Sequence, residues 1–291
     1  MELPLVVGVD GSESSLRAVD WATDEAGLHG LPLRLVYASL WERYEGTSLA
    51  QGPDRPSEQV MAEDIVDAAA RRAHRRDVEL KVSTDLLPEE PVSALLRESH
   101  NATALILGAR GRSAIAELLL GSVGLTVAAR AHCPVIVLRG SHDNQAKSGT
   151  RQRIVLGVGE EPQNSAAVRF AFQEAEKRQV ALEVVGSSRR PAHEATGGPR
   201  PAGDSAALHE QGAADTPDAA LRAAAADHPS VEVHRRTVEG STRKALLDAS
   251  ATADLLVVGA ERRHGHFGLG RVAHAVLHHA ACPVAVVPQL V

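Results

Sequence analysis

LILGARGRSAIAELLLGSV, residues 105–123, is the stretch on which the reading of this chain turns. A short apolar run ends in Gly108, a second glycine follows at Gly111, and Gly121-Ser122 opens the next apolar segment. Glycine lets the main chain come closer to a neighbour than any other residue allows. Three such positions at the junction of a strand-like run and a helix-like run suggest a backbone that meets something there.

The surrounding sequence supplies the frame. An offset of 149 lays VVGVDGS on VLGVGEE, Gly8 on Gly157, and GSVGLTVAARAHCPVIVL (from Gly121) on GRVAHAVLHHAACPVAVV (from Gly270). The same offset puts Ala18, Val19, Trp21, Ala22 and Ala26 on Ala167, Val168, Phe170, Ala171 and Ala175, and ALILGA matches LLVVGA with Gly108 on Gly259. The chain is therefore an internal repeat. In the first copy PLVVGV, LRLVYA, VELKVS, ALILG and PVIVL are short, nearly continuous apolar runs, as strands buried on both faces require. Helical segments of roughly ten to eighteen residues separate them, with Leu16, Val19, Ala22 and Ala26 at helical spacing. The expected fold class is α/β: two tandem doubly wound Rossmann-like domains, each a five-stranded parallel open sheet flanked by helices. The polar GSHDNQAKSGTRQ reads as the connection, giving domains over 1–140 and 153–291 with a linker over 141–152. Polar insertions over 42–57 and 187–216 follow the second strand of each copy and are expected to be mobile at the carboxyl edge of the sheet.

Composition excludes several classes. The 291 residues are 44% hydrophobic and 2% aromatic with a formal charge of −6, lacking the basic stripe and stacking platforms of a nucleic-acid binder. No run approaches the roughly 18 to 20 apolar residues of a membrane span, and MELPLVVGVDGS lacks a signal peptide's basic flank and cleavage site. The two cysteines, Cys133 and Cys282, occupy matching CPV phrases, which suits small buried groups in a reduced, cytoplasmic setting.

In a doubly wound sheet, strand carboxyl ends and helix amino ends converge on one crevice, where unpaired N–H groups favour anions. Gly108 and Gly111 are placed to let the backbone approach a phosphate, Ser122 can offer its N–H and hydroxyl, and Arg110 and Arg112 can screen charge. Asp10, after the first strand, is either a turn or cap residue or a carboxylate that accepts from a ribose hydroxyl or adenine amine. Ser12 or Ser14 can cap the helix that follows. Val9, Asp10, Tyr37 and Ala38 would then hold a nucleoside.

G-x-x-G, nine residues, then G-S resembles the ATP-binding signature of the universal stress protein family, met here by Gly108, Gly111, Gly121 and Ser122. VVGVDGS and HCPVIVL also look like that family's first and last strands, and the resemblance covers nearly the whole chain as two copies. It implies an adenine nucleotide α-hydrolase-like fold and binding of ATP, with Mg²⁺ as a candidate companion. Gly8, Leu107, Ala109 and Val123 complete the expected contacts. It also implies pairing of the fifth strands, PVIVL with PVAVV, into an internal pseudo-dimer, with a homodimer and an unidentified protein partner beyond it. The second copy departs: Gly159 replaces Asp10, Arg262 replaces Gly111, Arg271 replaces Ser122, and Gly259 lies 11 residues before Gly270, against 13 between Gly108 and Gly121. Gly157, Gly259, Arg262, Gly270, Arg271 and Val272 are its reduced set of candidates.

Three functions compete: a regulatory ATP-binding protein of stress or growth control, a slow ATP-hydrolysing enzyme, and a tandem interaction module that uses no nucleotide. DGSESS stands where an ATP pyrophosphatase would carry S-G-G-x-D-S, and neither a Walker loop nor an acid–base pair is evident, so no catalytic residue is assigned. His264, His266, His274, His278 and His279 crowd the second copy without Cys or carboxylate companions, and no metal site is assigned. Trp21 and Phe170 read as packing, and RRAHRR (71–76) as a helix end without a partner.

Overall fold

The computed structural model describes residues 2–40, 58–109, 120–139, 153–159, 165–187, 216–238, 241–260 and 269–289. The first half runs β1 (Leu5–Gly8), α1 (Glu13–His29), β2 (Leu33–Ala38), α2 (Glu58–Arg76), β3 (Val82–Leu87), α3 (Pro91–Glu98), β4 (Ala104–Gly108), α4 (Ser122–Arg130) and β5 (Val135–Leu138). The second repeats it: β6 (Arg153–Val158), α5 (Ser165–Arg178), β7 (Ala181–Ser187), α6 (Thr216–Asp227), β8 (Val233–Val238), α7 (Thr242–Ser250), β9 (Leu255–Ala260), α8 (Arg271–His279) and β10 (Val284–Pro288). All strands among the described residues join one sheet in the order β3-β2-β1-β4-β5-β10-β9-β6-β7-β8. Within each half every pairing is parallel, as doubly wound crossovers dictate.

The apolar runs became strands because a two-residue period feeds both faces. Val7 and Ile106 enter the cluster under α1 and α2, whereas Val6, Leu105 and Leu107 enter the one under α3 and α4. One expected strand is displaced: β3 is Val82–Leu87 rather than VELKVS. As an edge strand it has no fully buried residue, so its pattern carries little apolar signal, and Val78, at the start of the expected run, is 77% exposed. α3 and α4, at 8 and 9 residues, are shorter than expected. Both cysteines are buried, and burial pushes the Cys133 thiol up to about 12, away from nucleophilic behaviour. No helix among the described residues is long and apolar enough to cross a membrane. Both polar insertions and the linker lie outside the described residues, apart from Ser187 in β7 and Thr216 in α6.

The basic end of α2 has a partner after all. Arg72 and Arg76, four apart, each grip one carboxylate of Asp20 and Asp24, also four apart on α1, through two bonds apiece of 2.5–2.7 Å. The sequence hid this because the match needs two helices side by side. α1 also lies hard against β4. A Cβ on Gly108 would sit 2.7 Å from the Ser14 carbonyl carbon and 2.8 Å from its oxygen. The glycine's missing side chain therefore serves helix-on-strand packing, a demand the sequence alone did not show.

The halves meet at β5 and β10, which pair antiparallel through Val135↔Val286, Ile136↔Ala285 and Val137↔Val284. On one face α1 and α5 close the junction through a buried charge cluster. Glu25 and His29 occupy the positions that Glu174 and Arg178 hold in the repeat. His29 Nε2 lies 3.3 Å from Glu25 and 3.2 Å from Glu174, and Arg178 lies 2.6 and 3.0 Å from the same two carboxylates. The guanidinium also sits 5.8 Å from the ring centre of buried Trp21. The donor atoms of Glu25, His29 and Glu174 lie within 4.8 Å of one another, but Arg178 already brings positive charge to both carboxylates. Burial works to lower the His29 pKa, yet Glu174 and Glu25 outweigh it and hold it up at about 9. Burial likewise works to raise Glu25, and the Arg178 charge overrides it and holds it at about 2.

Two predictions follow from these contacts. Gly108→Ala should cost on the order of 1–3 kcal/mol in chemical denaturation, since the clash is with main chain that cannot swing aside. For His29 the folded pKa of about 9 exceeds the ordinary 6.5, so its contribution is full below about 6.5 and is lost as pH rises through about 9. Thermal melts from about pH 7 to about pH 10 should show a steeper decline for wild type than for His29→Gln. Parallel curves would contradict the assignment of this proton.

Candidate functional site

In the first half the strand order reverses direction between β1 and β4, and the crevice outside their carboxyl ends is where ligands bind in such sheets. A cleft of about 270 Å³ opens there, just under the roughly 300 Å³ at which ligand pockets usually begin. Its lining is Gly8, Val9 and Asp10 from β1 and the turn after it; Ser15; Val36 and Ala38; Pro91 and Leu95; Leu107, Gly108 and Ala109; and Gly121 to Gly124. One wall is apolar and the other is main chain.

The main-chain wall is the amino end of α4. Gly121, its N-cap, is extended (φ −64°, ψ 152°) and provides no side-chain cap. The first amides of a helix have no partner within it, so those of Ser122, Val123 and Gly124 face the cleft at the positive end of the helix dipole. The Gly121 amide is not among them. It donates to the Ala109 carbonyl at 2.9 Å, closing the base of the loop between the two strand-to-helix flanks.

On the opposite side, Gly11 takes a left-handed conformation (φ +79°), which turns the chain from β1 into α1. Asp10 Oδ1 accepts from the Ser12 amide at 3.0 Å and the Ser12 hydroxyl at 2.6 Å, and Ser12 in turn caps α1 by accepting from the Ser15 amide. Asp10 is thus a turn residue, and the turn holds its carboxylate at the cleft rim. Ser12, not Ser14, is the cap; Ser14 is the residue packed on Gly108. Asp10 is the one titratable group among the described lining residues.

Gly8, Val9, Asp10, Ala38, Leu107, Gly108, Ala109, Gly121, Ser122 and Val123 are brought together as expected, while Arg110, Gly111 and Arg112 lie outside the described residues. Tyr37 is not part of the lining. Strand alternation sends it to the cluster on the other face of the sheet, and Val36 takes its place beside Ala38. That period was legible in LRLVYA. Ser15, Val36, Pro91, Leu95 and Gly124 were missed; Pro91 and Leu95 come from a helix whose position over β1 no local pattern reveals.

In the second half Gly157, Gly259, Gly270, Arg271 and Val272 occupy the matching strand ends and helix start, and Arg262 lies outside the described residues. A Cβ on Gly157 would meet Leu246 at 2.9 Å, the counterpart of the Gly8 contacts with Leu107 and Leu95. Exposed Arg271 opens α8 where Ser122 opens α4, and Gly159 stands where the first half has Asp10.

Two segments of the chain, residues 3–139 and 150–288, match the family model described as the universal stress protein family. A universal stress protein of Mycobacterium tuberculosis, Rv2005c, is 31% identical over 297 residues, covering 98% of this chain and 97% of its own length. Among solved structures, a universal stress protein from Archaeoglobus fulgidus superposes over 100% of both chains with a TM-score of 0.70 at 17% identity. A shorter universal stress protein in complex with cAMP covers 48% of this chain and 98% of its own at 29% identity, with a TM-score of 0.36. With its repeated doubly wound halves and the family's pattern in both, this chain belongs to the universal stress protein family as a tandem member.

Proposed function

We propose that the cleft of the first half binds an adenine nucleotide, ATP with Mg²⁺ foremost, and that the protein acts as a nucleotide-responsive regulator of stress or growth through its conformation and its partners. The observation that carries this reading is the meeting, at one switch point, of an uncapped helix amino end with an apolar slot rimmed by a carboxylate. The Ser122–Gly124 amides suit phosphate oxygens. The slot between Val36, Ala38, Pro91 and Leu95 suits the flat face of a base, and Asp10 suits a ribose hydroxyl or an exocyclic amine, which phosphate would avoid. A single carboxylate tied into a turn, with no second acid or base among the described lining residues, favours binding over rapid turnover.

Titration calorimetry with ATP and Mg²⁺ tests this directly. Wild type should bind with a 1:1 stoichiometry. Ala38→Phe, which fills the slot from a strand whose backbone it leaves alone, should weaken binding by about tenfold or more without a comparable loss in melting temperature. A wild type that takes up no nucleotide at millimolar concentration would end this reading.

A further inference from the structure

The chain that leads into α4 is held from across the junction of the halves. His278, on the last turn of α8, accepts the Leu120 amide at its Nδ1, at 3.4 Å. Leu120 is buried and packs beside Gly124, where an added Cβ would meet its Cδ1 at 3.3 Å. The next amide, Gly121, is tied back to Ala109. Two successive amides are thus pinned immediately before the three that face the cleft, one within the first half and one by the second. α8 is itself tied to the first half, because the Arg139 guanidinium, buried after β5, donates to the His278 carbonyl. The device is one-sided. The 149-residue offset places Ala129 at the position of His278, and a methyl group cannot accept a hydrogen bond from Leu269, the counterpart of Leu120.

We propose that His278 is a positioning residue for the anion end of the first-half cleft, so that the half with the reduced motif braces the half with the intact one. This rests on the nucleotide reading above. Fixing Leu120 fixes the extended Gly121 and hence the direction in which the Ser122, Val123 and Gly124 amides point, and preorganised donors bind an anion more tightly than donors that must be ordered. The role demands a neutral imidazole, since a protonated ring has no acceptor. The surroundings keep it so: burial first, then the neighbouring His274 (ring centres 4.5 Å apart), the Arg139 charge and His279 all lower its pKa. These are the titratable and charged groups that bear on it among the described residues, two from α8 and one from the end of β5.

The test is calorimetric titration of the full chain with ATP and Mg²⁺ at about pH 7.5 and about pH 5.5, for wild type, His278→Leu and His278→Asn. At the higher pH the Leu variant should bind about three- to tenfold more weakly, and the Asn variant, whose carboxamide oxygen can take the Leu120 amide, should stay within about twofold. On acidification wild type should lose more affinity than the Asn variant, because only in wild type can a proton take the acceptor from the Leu120 amide; the titration of ATP and of the other histidines is common to both. If the Leu variant does not fold, the comparison of wild type with the Asn variant decides alone. A wild type that binds, with a Leu variant of equal affinity and an Asn variant of identical pH profile, overturns this role and leaves the nucleotide reading standing. A wild type that does not bind overturns both.

Discussion

Everything in this molecule is arranged around the antiparallel contact of β5 with β10. Val135, Ile136 and Val137 face Val286, Ala285 and Val284, so that Ile136 meets its own repeat equivalent and the flanking valines meet each other's. The pairing is self-complementary in the manner of a two-fold interface, although it lies within one chain. It turns two five-stranded sheets into one of ten and removes an apolar edge from each half, which would otherwise be open to pairing with another molecule.

The same axis explains the buried charges. A pair of helices related by two-fold symmetry brings like residues together, and Glu25 against Glu174 would repel in a buried setting. His29 and Arg178, one turn on from each glutamate, surround the two carboxylates and supply the opposing charge. The positions correspond but the residues differ, so one cation is permanent and the other depends on a proton. Duplication within one chain allows such a difference, because each copy can change without changing its counterpart.

That freedom shows again at the two carboxyl edges. The first half keeps Asp10, Gly108, Gly121 and Ser122 at its switch point, while the second has Gly159 and Arg271 in the corresponding places. The second half nevertheless contributes to the first, through the helix that carries His278 and through the sheet itself. On the proposed reading both copies have a physical use: the first presents the donors and the second holds their frame.

The sequence alone determined the repeat, the α/β alternation, the strands β1, β2, β4 and β5 and most of the cleft, because each of these is written in local periodicity or in a glycine at a strand end. The tertiary structure decided what those residues are for. Gly108 is small because Ser14 lies against it, Gly121 spends its amide on Ala109, and Asp10 is set by Ser12. Pro91 and Leu95 enter the cleft from a helix placed over β1, and the matched spacing of Arg72 and Arg76 with Asp20 and Asp24 acquires meaning only when two helices lie side by side. Periodicity fixes which way a residue faces within its own element; which partner waits there is set by the packing of elements far apart in the chain, and no local pattern encodes that.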